Sequence, residues 1–174
     1  MRQYLAFVLA VAVVASVHEG AHALMAVAFG EYGKFHIRPF GLEVEYSTPV
    51  ANRAGVKWAF ISGTSCIVTL LLGYVLLAIR KRIARLGSKY IKLGVYYLTF
   101  LFLVVDPLSM SIGPFVFGGD IGGLVAAFHV NRYLVQTPFL ILLLVNRELI
   151  AQRLLPDYGI VTKHPLFRPW FKLR

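Results

Sequence analysis

The sequence predicts an all-α polytopic membrane bundle of about four to five transmembrane helices, with a small β-hairpin after the first helix and a broken segment before Asp120. Three observations lead there. Hydrophobic residues make up 58% of the chain and charged residues only 15%, far from the roughly half-apolar balance of soluble domains. Apolar runs of the ~20 residues that a helix needs to cross a bilayer recur along the chain. Glycine, proline and polar residues collect in two stretches, 33–49 and 106–119, where the helical pattern stops.

The elements follow in order. Tyr4 to Phe29 is apolar apart from Ser16 to His22, and the pattern continues through Ala23 to Phe29, beyond any signal-peptide cleavage site near Ala15. It is read as the first span. Gly41-Leu42-Glu43-Val44-Glu45-Tyr46 then alternates apolar with polar, as a half-buried strand does, and Pro39-Phe40-Gly41 supplies a turn. The expected hairpin lies beside the membrane, with one face on lipid or on the helices. Val56 to Ile79 is the second span, and its Ser62, Gly63, Thr64 and Ser65 are small enough for another backbone to approach closely. Tyr90 to Val105 is the third, following Arg80-Lys81-Arg82 at an interface. Asp106 to Gly119 holds two prolines, three glycines and two serines; irregular backbone at membrane depth is tolerated only against protein or a wet cavity. A short helix from about 120 to 131 and a longer one from 133 to about 154 complete the membrane part. Residues 1–155 form the membrane-embedded core, with the hairpin inserted at 33–49, and residues 156–174 form a basic tail.

Cys66 is the single cysteine, so intramolecular disulfides and cysteine zinc ribbons are excluded, and its apolar surroundings make it a packing residue. The net charge of +10 does not signal nucleic acid. Its cations sit mainly in Arg80 to Lys92 and after Arg147, flanking apolar spans, where anionic lipid headgroups are the simpler partner. The expected location is the cell membrane.

The chemistry is concentrated in His18-Glu19-Gly20-Ala21-His22. On a helix His18 and His22 share one face, so both imidazoles reach a single Zn²⁺ at ~2.0 to 2.1 Å. Glu19 points about a quarter-turn away and is placed to take a proton from water without occupying the coordination site. Ionisable groups in an apolar span need a named partner, and a metal supplies it.

A third ligand must come from elsewhere. Asp120 is the expected one, because it starts a helix between Gly118-Gly119 and Gly122-Gly123, where the backbone can bring a short carboxylate close. Asp106, an acid before Pro107, is the rival. Capping of the following turn is the plain structural role for Asp120. Glu148, next to Arg147, is expected in an ion pair, and His36, His129 and His164 at surfaces or interfaces. Ser109, Ser111 and the glycines beside them are expected to line a path for water.

The His-Glu-x-x-His motif in the first span, the strand-like insertion, two further spans and then Gly118-Gly119-Asp120-Ile121-Gly122-Gly123 together resemble the site-2 protease family of intramembrane zinc metalloproteases, over roughly Tyr4 to Asn131. The resemblance implies zinc held by His18, His22 and Asp120, water activated by Glu19, and a substrate that is a membrane-embedded segment of another protein. The family's later motif reads Asn-x-x-Pro-x-x-Pro-x-Asp-Gly, whereas here Ile121 follows Asp120 and no asparagine stands at the matching upstream distance. With no length left for a PDZ or other soluble sensor domain, the chain reads as a minimal core. Two other readings stay open: a membrane zinc protease with a glutamate ligand, for which Glu148 would have to serve, and a non-enzymatic metal-dependent scaffold or transporter. Orientation is also open, since the resemblance places the 30–57 connection on the cytoplasmic side while the Arg80 to Lys92 cluster argues for the reverse.

Overall fold

The computed structural model describes residues 2–38, 41–116 and 119–172. Four of its helices are long and apolar enough to cross a membrane: Gln3–Ala28, Lys57–Ala84, Lys89–Ser111 and Arg132–Asp157. The chain is therefore a helical membrane bundle. We label the elements α1 (Arg2–Ala28), β1 (Tyr32–Arg38), β2 (Gly41–Tyr46), α2 (Lys57–Ala84), α3 (Lys89–Ser111), α4 (Ile121–Phe128) and α5 (Arg132–Leu149). A π-helical turn, Ile150–Leu154, and a last helical turn, Leu155–Asp157, extend α5.

α4 has only eight residues, about 12 Å of helix, too short to cross a bilayer by itself. It packs on α2 through small residues. A Cβ on Gly123 would overlap the Ser62 side chain and come within 3.2 Å of the Trp58 carbonyl oxygen, so glycine lets the two backbones close up. Trp58, Ile61 and Ala127 form the buried cluster at this junction. A second cluster joins Leu77 of α2, Leu103 of α3 and Ile150, Leu154 and Leu155 beyond α5.

The third helix does not stop at Val105 as expected; α3 runs through Pro107 to Ser111. Proline lacks the N–H that would bond the carbonyl four residues earlier, which here is Leu103. That carbonyl accepts instead from Asn146 Nδ2 at 2.7 Å, while Asn146 Oδ1 accepts from Tyr74 Oη at 2.6 Å. Rescue by a polar side chain of a neighbouring helix is what allows proline inside a span. Just beyond, the Ser111 carbonyl accepts from Gln136 Nε2 at 2.6 Å.

β1 and β2 pair antiparallel, with Phe35 opposite Val44 and His36 opposite Glu43. The expected turn residues Pro39 and Phe40 lie outside the described residues, as does Gly118. The hairpin rests on α1 through Val44, which is buried. Its base is tied by Glu31, which accepts from the Thr48 amide at 3.1 Å and pairs with Lys57 at the start of α2.

Candidate metal centre

His18 and His22, four residues apart on α1, project one turn above the other from the same face. Their Nε2 atoms lie 3.1 Å apart. Asp120 meets both: its Oδ2 is 3.0 Å from His18 Nε2 and its Oδ1 is 3.1 Å from His22 Nε2. Among the described residues these three form the group of histidine, cysteine and carboxylate side chains placed to hold a metal ion. The sequence offered a capping role for Asp120, but it makes no side-chain cap bond to α4. Gly119, at φ +110°, turns the chain just ahead of it, a conformation that favours glycine.

The other ring edges fix what the Nε2 atoms present. His22 Nδ1 donates to the Ile61 carbonyl at 2.7 Å, which leaves Nε2 of the neutral ring as an acceptor. His18 Nδ1 lies 3.0 Å from Asp106 Oδ1, a close contact that lacks the alignment of a hydrogen bond; in the tautomer that keeps its proton on that edge, Nε2 is the acceptor. With both rings neutral and their protons on Nδ1, two lone pairs and a carboxylate converge on one point. Acceptors crowded in this way call for a cation. A tetrahedral site with ligand bonds of ~2.0 to 2.1 Å has edges of about 3.3 Å, so separations of 3.0–3.1 Å fit zinc after a shift of a few tenths of an ångström.

Burial is graded around this point. The His22 side chain is 2% exposed and His18 17%, whereas Asp120 is 27% exposed, so the group is most open on the Asp120 side. Glu19 stands beside it, half-buried, at the head of the groove next to His18. Tyr46, at the end of β2, is close enough for its hydroxyl to be held protonated well above the ordinary tyrosine range by burial and by the Asp120 and Glu19 carboxylates. Its ring is covered by Arg53, 4.7 Å away, which also lies over Trp58.

A groove of 230 Å³ opens from the group between α1, α3 and β2. Its walls are Val11, Val14, Leu101 and Val105, with His18 and Glu19 at its head. Toward the start of α3 a second apolar cleft, bounded by Leu9, Val13, Tyr90 and Leu98, continues the same α1–α3 seam.

The remaining expected residues fall elsewhere. Asp106 touches the far edge of the His18 ring and is not in the three-residue group. Glu148 pairs with Arg147 and accepts from the Trp170 amide, fastening the tail to α5. His36 pairs with Glu45 at 2.6 Å, and His129 and His164 are exposed. Ser109 lines the groove, while Ser111 is buried and donates to the Pro107 carbonyl. Sequence reasoning missed the Ile61 carbonyl, Thr69 and Tyr46. The only sequence signal among these was Thr69, a hydroxyl within the α2 span. Comparison with protein-family models, with curated proteins and with solved structures gave no match.

Proposed function

We propose that this chain is an intramembrane zinc metalloendopeptidase, acting on membrane-embedded segments of other proteins in the cell membrane. One observation carries the reading: two imidazole lone pairs and the Asp120 carboxylate converge within an apolar bundle, with a free carboxylate, Glu19, next to them. A structural metal site would need no such unliganded acid. Zinc bound by His18, His22 and Asp120 would supply Lewis acidity, polarising a carbonyl and bringing the pKa of a water toward ~7.

Glu19 is the base in this reading. It follows the first ligand, and its side chain leaves the coordinating face free. Its carboxylate takes the proton of the attacking water and returns it to the leaving amine. Among the described residues β2 pairs with β1 alone, and its start, Gly41 and Leu42, lines the same groove as Glu19, so its second edge could add an extended peptide by main-chain hydrogen bonds. This matters because a peptide bond inside a helix is shielded by its own turn and has to be unwound before attack. The apolar α1–α3 seam supports a lipid-embedded substrate rather than a soluble one.

Replacing Glu19→Gln tests the mechanism. The variant is expected to bind zinc at wild-type stoichiometry and to lose cleavage of a reconstituted transmembrane substrate by about 10²-fold or more. Undiminished cleavage would remove Glu19 from the chemistry, and cleavage unaffected by chelation of zinc would remove the metal.

A further inference from the structure

We propose that Asp106 and Thr69 form a positioning pair that orients His18 toward the metal, an inference that rests on the metal centre proposed above. Asp106 is 3% exposed and Thr69 1%. An acid at membrane depth is costly unless each oxygen is matched, and here each has a partner. Oδ1 lies 3.0 Å from His18 Nδ1, and Oδ2 accepts from the Thr69 hydroxyl.

The geometry separates this role from metal binding. An imidazole presents its two nitrogens on different edges, and the edge bearing Nε2 faces His22 and Asp120. Asp106 holds the other edge. A carboxylate 3.0 Å from Nδ1 favours the tautomer with its proton on that edge, which turns the Nε2 lone pair outward, as carboxylate partners of metal-binding histidines do. The two ligands are thus anchored differently, His22 by the Ile61 carbonyl and His18 by a charge.

Thr69 is more than packing. Its hydroxyl has one proton and three acceptors within reach: the Ser65 and Cys66 carbonyls, each at 3.0 Å, and Asp106 Oδ2. A bond to a carboxylate is about twice as strong as one to a neutral carbonyl, so the proton goes to Asp106. Removing that hydroxyl costs α2 none of its main-chain bonds. The pair joins α2 and α3 to the metal-binding face of α1 at one point.

The test uses the purified full-length chain in detergent, with zinc affinity measured by chelator competition and the ligand field read from the visible absorption of the Co²⁺-loaded protein. Asp106→Ala is expected to weaken zinc binding about 10- to 100-fold and to alter the Co²⁺ spectrum. Asp106→Asn, whose amide oxygen can still accept from Nδ1, is expected to recover most of the affinity. Thr69→Val is expected to give a smaller loss, and Thr69→Ser none. Should Asp106→Ala not fold, Thr69→Val against Thr69→Ser decides. Wild-type affinity and an unchanged spectrum in both Asp106→Ala and Thr69→Val would overturn the pairing while leaving the metal centre intact; a wild-type chain that binds no zinc would overturn the centre itself.

Discussion

At the scale of single residues, the candidate metal group separates into parts that are local in sequence and parts that are not. His18 and His22 are one helical turn apart, so their shared face follows from spacing alone. Asp120 comes from about a hundred residues later, and only its glycine neighbours pointed to it. Deleting its carboxylate as Asp120→Ala is expected to reduce zinc affinity by more than the roughly 100-fold upper range for a supporting residue, whereas Glu148→Ala, which alters the tail lock, is expected to leave it unchanged; equilibrium dialysis with metal analysis separates the two. Asp106 could be singled out as a buried acid, but which ring edge it meets depends on how α1 and α3 pack, and no spacing rule encodes that. Glu31 offers a titration outside the spans. Its bond to Lys57, with the Thr48 amide, holds its pKa below the ordinary 4.5. A carboxyl depressed on folding stabilises above its unfolded pKa and loses that contribution as pH falls through the folded value. The hairpin anchor is therefore complete at neutral pH and weakens on acidification below about 4.5; thermal unfolding of Glu31→Gln in detergent is expected to lack this acid-side slope.

At the scale of elements, the spans and the alternating strand were readable because each is a repeating pattern over many residues. The end of α3 was not. Pro107 is a local stop signal, and the bond that overrides it comes from Asn146 on α5. Asn146→Leu is expected to leave the Leu103 carbonyl and the Tyr74 hydroxyl without partners and to cost about 1–3 kcal/mol for a buried group left unpaired, seen as a lower unfolding temperature. α4 is held by a different device, close approach through glycine. Gly123→Ala would drive a methyl group into Ser62, with an overpacking cost of about 1–3 kcal/mol. Because Asp120 starts α4, that variant is expected to lose zinc affinity as well as stability. A variant that lost stability alone would show that α4 and the metal group are not mechanically linked.

At the scale of the whole molecule, four spans alternating in direction bring the α2–α3 turn and the end of the last span to one side, and the hairpin and α4 to the other. The first side carries Arg80, Lys81, Arg82, Arg85, Lys89 and Lys92. On the second, much of the charge is internally paired, as in Glu31–Lys57, Glu43–Arg38 and Glu45–His36. By the positive-inside rule the α2–α3 turn is the side expected in the cytoplasm, against anionic headgroups. In a Cys66→Ala background, a cysteine at Ser88 is expected to be shielded from an impermeant maleimide added outside intact cells, and one at Ala51 to be labelled. The reverse pattern would invert the topology without touching the site.

Under the proposed peptidase activity, the depth of the candidate metal group along α1 has a consequence for the products. His18 sits about 24 Å of helix from the start of α1 and only about 15 Å from its hairpin end. A client segment cut at that level would be divided unequally. The piece leaving toward the hairpin would drag little greasy chain behind it and could escape into water, while its counterpart would keep a stump long enough to stay lodged in the bilayer until another enzyme clears it.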